Sequence, residues 1–149
     1  MMANSKILRI GILVALVAAA GWMTWPQSEP VVARADGGEI HEGMEKMGRS
    51  WRQLRRAKND FPKVLTAATA MQEAVLQCKD ETPKTVEVLD ESQRPKALLQ
   101  YRMAMIEMME ELLNVEKAAL ARDTKKMNSS IAKLGALQKH GHKQFKGDD

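Results

Sequence analysis

Four segments of this chain carry apolar residues at alternating steps of three and four, and no proline interrupts any of them. Only an α-helix keeps residues so spaced on one face. The first runs from about Glu39 to Lys58, with Ile40, Met44, Met47, Trp51 and Leu54 as its stripe. The second follows Asn59-Asp60 and runs to about Lys79. Its stripe is Phe61, Val64/Leu65, Ala68, Met71, Val75 and Cys78. The third continues from near Pro95 to about Ala121 through Leu98, Tyr101, Met105, Met108, Leu112, Val115 and Ala119. The fourth, capped by Asp123, runs to about Lys146 through Met127, Ile131, Leu134, Leu137, Gly141 and Phe145. Asp36-Gly37-Gly38 reads as a flexible lead-in, and Asp80 to Arg94 as a long connection with at most a short turn of helix. Pro62 and Pro95 fall in first turns, where a missing N–H costs little. Four such helices joined by two short turns and one longer loop define an all-α, antiparallel up-and-down four-helix bundle.

Composition narrows the chemistry. Six aromatic residues in 149 argue against a sandwich or barrel. The single Cys78 excludes a disulfide framework, a cysteine zinc cage and covalent haem attachment through Cys-x-x-Cys-His. It is expected to be a small buried apolar residue, an intermolecular disulfide being the alternative.

The N-terminus reads as an export signal. Lys6 and Arg9 precede an uncharged stretch from Ile10 to Trp25, and Ala33-Arg34-Ala35 offers a cleavage site before Asp36. Ala18-Ala19-Ala20 is an earlier candidate, and an uncleaved anchor is the other reading. The expected organisation is a signal at residues 1–35 and a bundle at 36–149, outside the bacterial inner membrane, with membrane contact only through an uncleaved N-terminus. Removing Lys6, Arg9, Arg34 and Glu29 lowers the formal net charge from +4 to +2. So balanced a charge gives no argument for nucleic acid or an anionic surface.

The candidate chemistry lies where the first and last helices meet. In an up-and-down bundle they are antiparallel neighbours. Met44 and His142 then sit at one depth, roughly 6–8 Å from the shared end at 1.5 Å per residue. A thioether facing an imidazole is the axial pair that binds haem iron and raises its potential. His140 lies about 200° around the helix from His142, so both cannot reach one iron. His41, three residues before Met44, is the runner-up ligand. Taken alone, Met44 would be a core residue and His142 a cap suited to a helix C-terminus.

The segments Ile40-His41-Glu42-Gly43-Met44-Glu45-Lys46-Met47-Gly48 and Leu134-Gly135-Ala136-Leu137-Gln138-Lys139-His140-Gly141-His142-Lys143-Gln144-Phe145-Lys146 make this chain similar to the cytochrome b562 family. The Lys79…Thr82-Pro83 corner and Tyr101 also fit, and the likeness spans residues 39–146. The resemblance implies a periplasmic, non-enzymatic electron carrier with one non-covalent b-type haem. It puts the axial ligands at Met44 and His142, with Met47 and Phe145 as further haem contacts. Lys139, Lys143 and Lys146 are candidates for the haem propionates. Arg49, Arg52, Arg55 and Arg56 form a solvated face or weakly steer an acidic redox partner. Glu107, Glu110 and Glu111 read as exposed helix charges. The chain is expected to be a monomer. The competing reading is a periplasmic Met/His-rich bundle, without haem, that binds a soft metal such as copper or answers stress. Met44, Met47 and His140-Gly141-His142 would be its cluster.

Overall fold

The computed structural model describes residues 37–146, and within them the chain is helical: α1 (Gly37–Ala57), α2 (Phe61–Lys79), the short α3 (Lys84–Glu87), α4 (Arg94–Leu120) and α5 (Thr124–Phe145). The expected export segment lies outside the described residues. None of the described helices is long and apolar enough to cross a membrane. The helix boundaries fall within a residue or two of those read from periodicity. One difference is that Gly37 and Gly38 are already helical rather than a free lead-in. The long connection contains a single turn of helix, α3.

The caps explain the sharp starts. The Asp60 carboxylate accepts from the backbone N–H of Lys63 at 3.2 Å, and Asp123 accepts from that of Lys126 at 3.0 Å. Each satisfies one of the orphan donors of a helix N-terminus. The preceding turns use a device that the sequence does not announce. Lys58 and Arg122 take positive φ, 50° and 54°, where glycine is usual. Arg122 then lies over the Phe61 ring, 6.0 Å from its centre, and joins the two turns at this end of the bundle.

The inward stripes meet in one core. Leu54, Val64, Ala68, Val75, Cys78, Tyr101, Leu112, Val115, Met127 and Leu134 are fully enclosed. Burying each large aliphatic side chain contributes about 1.5–3 kcal/mol. The helices run antiparallel in succession. Lys46 of α1 pairs with Glu73 of α2, Gln72 of α2 with Glu116 of α4, and Lys133 of α5 with Glu111 of α4. The close seams are α1–α2, α2–α4 and α4–α5, and α1 and α5 form no comparable one.

Candidate functional site

One end of the bundle gathers the start of α1, the end of α2, α3, the start of α4 and the end of α5. Its inner part is tightly built. Cys78 is fully buried, and its Sγ lies 3.8 Å from the Ile40 carbonyl oxygen. A Cβ at Gly43 would collide with that sulfur, so glycine lets α1 and α2 approach here. The Tyr101 hydroxyl donates to the Cys78 carbonyl at 2.9 Å, tying α4 to α2. Burial, and secondarily the Glu81 charge, pushes the Cys78 thiol up to about 11. Burial likewise raises the Tyr101 phenol above its ordinary range. Both groups are therefore neutral and structural. The thiol is the enclosed apolar residue expected from the sequence.

The same end holds α5 in place. The Thr85 hydroxyl donates to the Phe145 carbonyl at 2.8 Å, and the Phe145 ring meets Tyr101 edge-on at 5.4 Å between centres. This anchor lies three residues beyond His142.

The register of α1 against α5 follows from Trp51. A Cβ on Gly135 would lie 3.5 Å from the Trp51 ring, an ordinary van der Waals contact, so the indole of α1 lies beside Gly135 of α5. Trp51 is 8% exposed, and the Arg55 guanidinium covers its ring at 5.9 Å. Met44 is seven residues before Trp51, and His142 seven after Gly135. Seven residues are two helical turns, which return to nearly the same face about 10 Å further along the axis. Because α1 and α5 are antiparallel, both steps lead toward the same end. Met44 and His142 thus share the α1–α5 side at one level.

Their surroundings differ from those of a core pair. Met44 is half-buried against the core, whereas the His142 side chain is exposed. Met47, one turn on, is buried in the core at 7% exposure. At Gly141 an added Cβ would meet nothing within 4 Å. The donor set is one soft thioether, packed against the apolar core, and one exposed imidazole. The seam between their helices lacks close backbone packing. These residues fit a flat, apolar, iron-bearing group held edge-in between two helices.

The other sequence candidates lie elsewhere. His41 is exposed and its Nε2 is 3.5 Å from Glu45 on its own helix. His140 lines open grooves between α4 and α5 with Met103, Glu107 and Lys143, on another face from His142. Lys139, Lys143 and Lys146 are exposed along the last turns of α5. Arg49 pairs with Glu45 at 3.2 Å on the solvent side of α1. Glu111 departs from the expectation of an exposed charge. Its side chain is only 16% exposed and it bonds Lys133 at 3.0 Å. Burial alone would raise its pKa, but hydrogen bonds from Lys133 and Ser130 outweigh it and hold the carboxylate below its ordinary value.

The family profile for cytochrome b562 matches residues 39–146. The chain belongs to the cytochrome b562 family. The match runs from the first described turn of α1 to the end of α5, so it takes in the whole bundle. No curated protein matches the chain. Two contributors to this b562 bundle were not read as such from the sequence, Gly135 and the spacing role of Trp51. The heptad relation of Trp51 to Met44 and of Gly135 to His142 is the signal that finds them.

Proposed function

We propose that this cytochrome b562 family member is an exported electron carrier that holds one non-covalent b-type haem between α1 and α5. Met44 and His142 would hold its iron. The observation that supports the reading is that Trp51 of α1 lies beside Gly135 of α5, with Met44 and His142 each seven residues further toward the same end. When bound, the haem supplies a one-electron iron couple, whose potential a Met/His pair raises.

The chain's own residues define the rest. With a thioether and an imidazole both holding the iron, no position on it would remain for a substrate, which favours a carrier over a catalyst. The Thr85–Phe145 bond and the Tyr101–Phe145 contact hold the α5 turn that bears His142. Such restraint keeps ligand movement between oxidation states small. Met47 and Phe145 offer apolar contact to the macrocycle, and Lys139, Lys143 and Lys146 offer cations for its propionates at the open end. The signal-like segment before Asp36 supports a periplasmic location.

The test is a haem titration followed by absorption. The wild type is expected to bind one haem per chain with a sharp Soret band and a well-resolved reduced α-band. Met44→Ala and His142→Ala should each change that spectrum and weaken binding, by more than the roughly 10–100-fold typical of losing an outer-shell partner. His140→Ala should leave it unchanged. No stoichiometric haem spectrum, or an unaltered one in both ligand variants, contradicts the reading. Stoichiometric Cu(I) uptake without haem would favour the soft-metal alternative.

A further inference from the structure

The open groove between α4 and α5 gathers a second set of donor atoms, on another face from Met44 and His142. Met103 and Glu107 of α4 and His140 of α5 all line it. Two bonds across the seam fix their levels. Gln144 donates to Gln100 at 3.1 Å, and Lys133 to Glu111 at 3.0 Å. On each helix the two partners are eleven residues apart, so one antiparallel register holds along the seam. In that register His140 stands level with Ala104, each four residues from the glutamine pair. Met103 and Glu107 flank Ala104 one helical turn apart, on one face of α4. Their Cα atoms lie about 1.5 and 4.5 Å to either side of the His140 level along the axis. The small Ala104 also lines the groove and leaves the space between the three side chains open.

Neither Glu107 nor His140 has a side-chain hydrogen bond or ion pair among the described residues. Within those residues no three of His, Cys, Asp and Glu come together as a metal cage. The Met103 thioether is therefore the third donor, beside one imidazole and one carboxylate. Nitrogen and oxygen donors in a plane with a weak thioether along the axis suit Cu(II), which also binds most tightly of the first-row divalent ions. Glu110, further along the groove, adds negative charge. Lys143 lines the same stretch, but stands at the level of Tyr101, about 9 Å along the axis from Glu107.

We propose that Met103, Glu107 and His140 form a copper(II) site in the α4–α5 groove, with water completing the ion's coordination. The site is separate from Met44 and His142 and does not depend on haem. Because its donors come from two helices, the bound ion ties α4 to α5.

The experiment titrates the exported protein with CuCl2, both haem-loaded and haem-free, and follows binding by electron paramagnetic resonance and thermal unfolding. Both forms should bind one Cu(II) per chain at this site, with a signal split by a single imidazole nitrogen. His140→Ala and Glu107→Gln should each weaken binding by more than about tenfold, the lower bound for losing even an outer-shell partner. Met103→Leu should weaken it less, as a weak axial donor would. All three side chains are exposed, so the variants should keep the helical circular dichroism of the wild type. His41→Ala and His142→Ala should bind copper as the wild type does. Copper should raise the unfolding temperature of the wild type, since it binds the folded groove, and have little effect on Glu107→Gln. Absence of binding overturns the proposal, as does undiminished binding in His140→Ala or Glu107→Gln. Undiminished binding in Met103→Leu overturns the three-donor site. An equimolar ZnCl2 challenge that displaces the copper overturns the choice of ion.

Discussion

The two halves of α5 are built differently. In the first, Met127, Ser130 and Leu134 are buried beneath the other helices. In the second, from Leu137 to Phe145, no side chain is fully buried, and the apolar residues are half-covered. Yet the second half is the part anchored at its tip, by Thr85 and Tyr101. The first half is held by enclosure in the core. The second is held near its tip by these contacts and by the Gln144 amide donating to Gln100 at 3.1 Å, and it carries the exposed His142.

The largest expected effect separates these halves directly. Leu134→Ala removes a fully buried side chain and should lower haem-free unfolding stability by about 2–5 kcal/mol in urea denaturation. His142→Ala removes an exposed one and should change the same quantity by roughly 0.5 kcal/mol or less. Equal losses in the two would erase the distinction.

Two glycines sharpen it at smaller scale. Gly43→Ala drives a Cβ into the Cys78 sulfur between α1 and α2. Overpacking of this kind costs about 1–3 kcal/mol. Gly141→Ala meets no neighbour, so helix propensity should stabilise the haem-free protein by up to about 1 kcal/mol. Thermal unfolding of both variants should move in opposite directions.

The packed side also predicts a silent thiol. With Cys78 enclosed and its pKa raised to about 11, a thiol reagent at pH 8 should modify it only as fast as the protein unfolds. A cysteine placed at the exposed Lys139 should react at once. Prompt modification of native Cys78 would show that the α1–α2 seam opens readily.

The smallest effect concerns the opposite end, where Asp60 and Asp123 cap α2 and α5. The side-chain bond to Lys63 and the backbone bond to Lys126 lower their respective pKa values. A depressed carboxylate pKa stabilises the fold above the unfolded-state value near 4 and loses that contribution as pH falls through the folded value. Asp60→Asn with Asp123→Asn should therefore flatten the stability profile below about pH 4 and leave its shape at neutral pH. An unchanged acid limb would mean that other carboxylates govern it.

Helix positions and the core were legible in the sequence because three-four periodicity reports burial directly. Leu54, Leu112 and Leu134 lie where their stripes put them. That the start of α1 and the end of α5 share one end of the bundle was legible too, since antiparallel neighbours must bring those termini together. The positive φ at Lys58 and Arg122 was not, because neither turn carries the glycine that usually marks it. The contact of Trp51 with Gly135 was hidden for a different reason. It depends on how closely two helices distant in sequence approach, which one helix's periodicity does not encode.

The central claim is the proposal that Met44 and His142 would together hold one haem iron. Potentiometric titration of the haem-loaded wild type beside Met44→His tests it most directly. A thioether ligand raises the potential relative to a second imidazole. Met44→His should therefore stay six-coordinate while its midpoint potential falls below that of the wild type. An unchanged potential and spectrum in Met44→His would show that Met44 is not a ligand and would contradict the account.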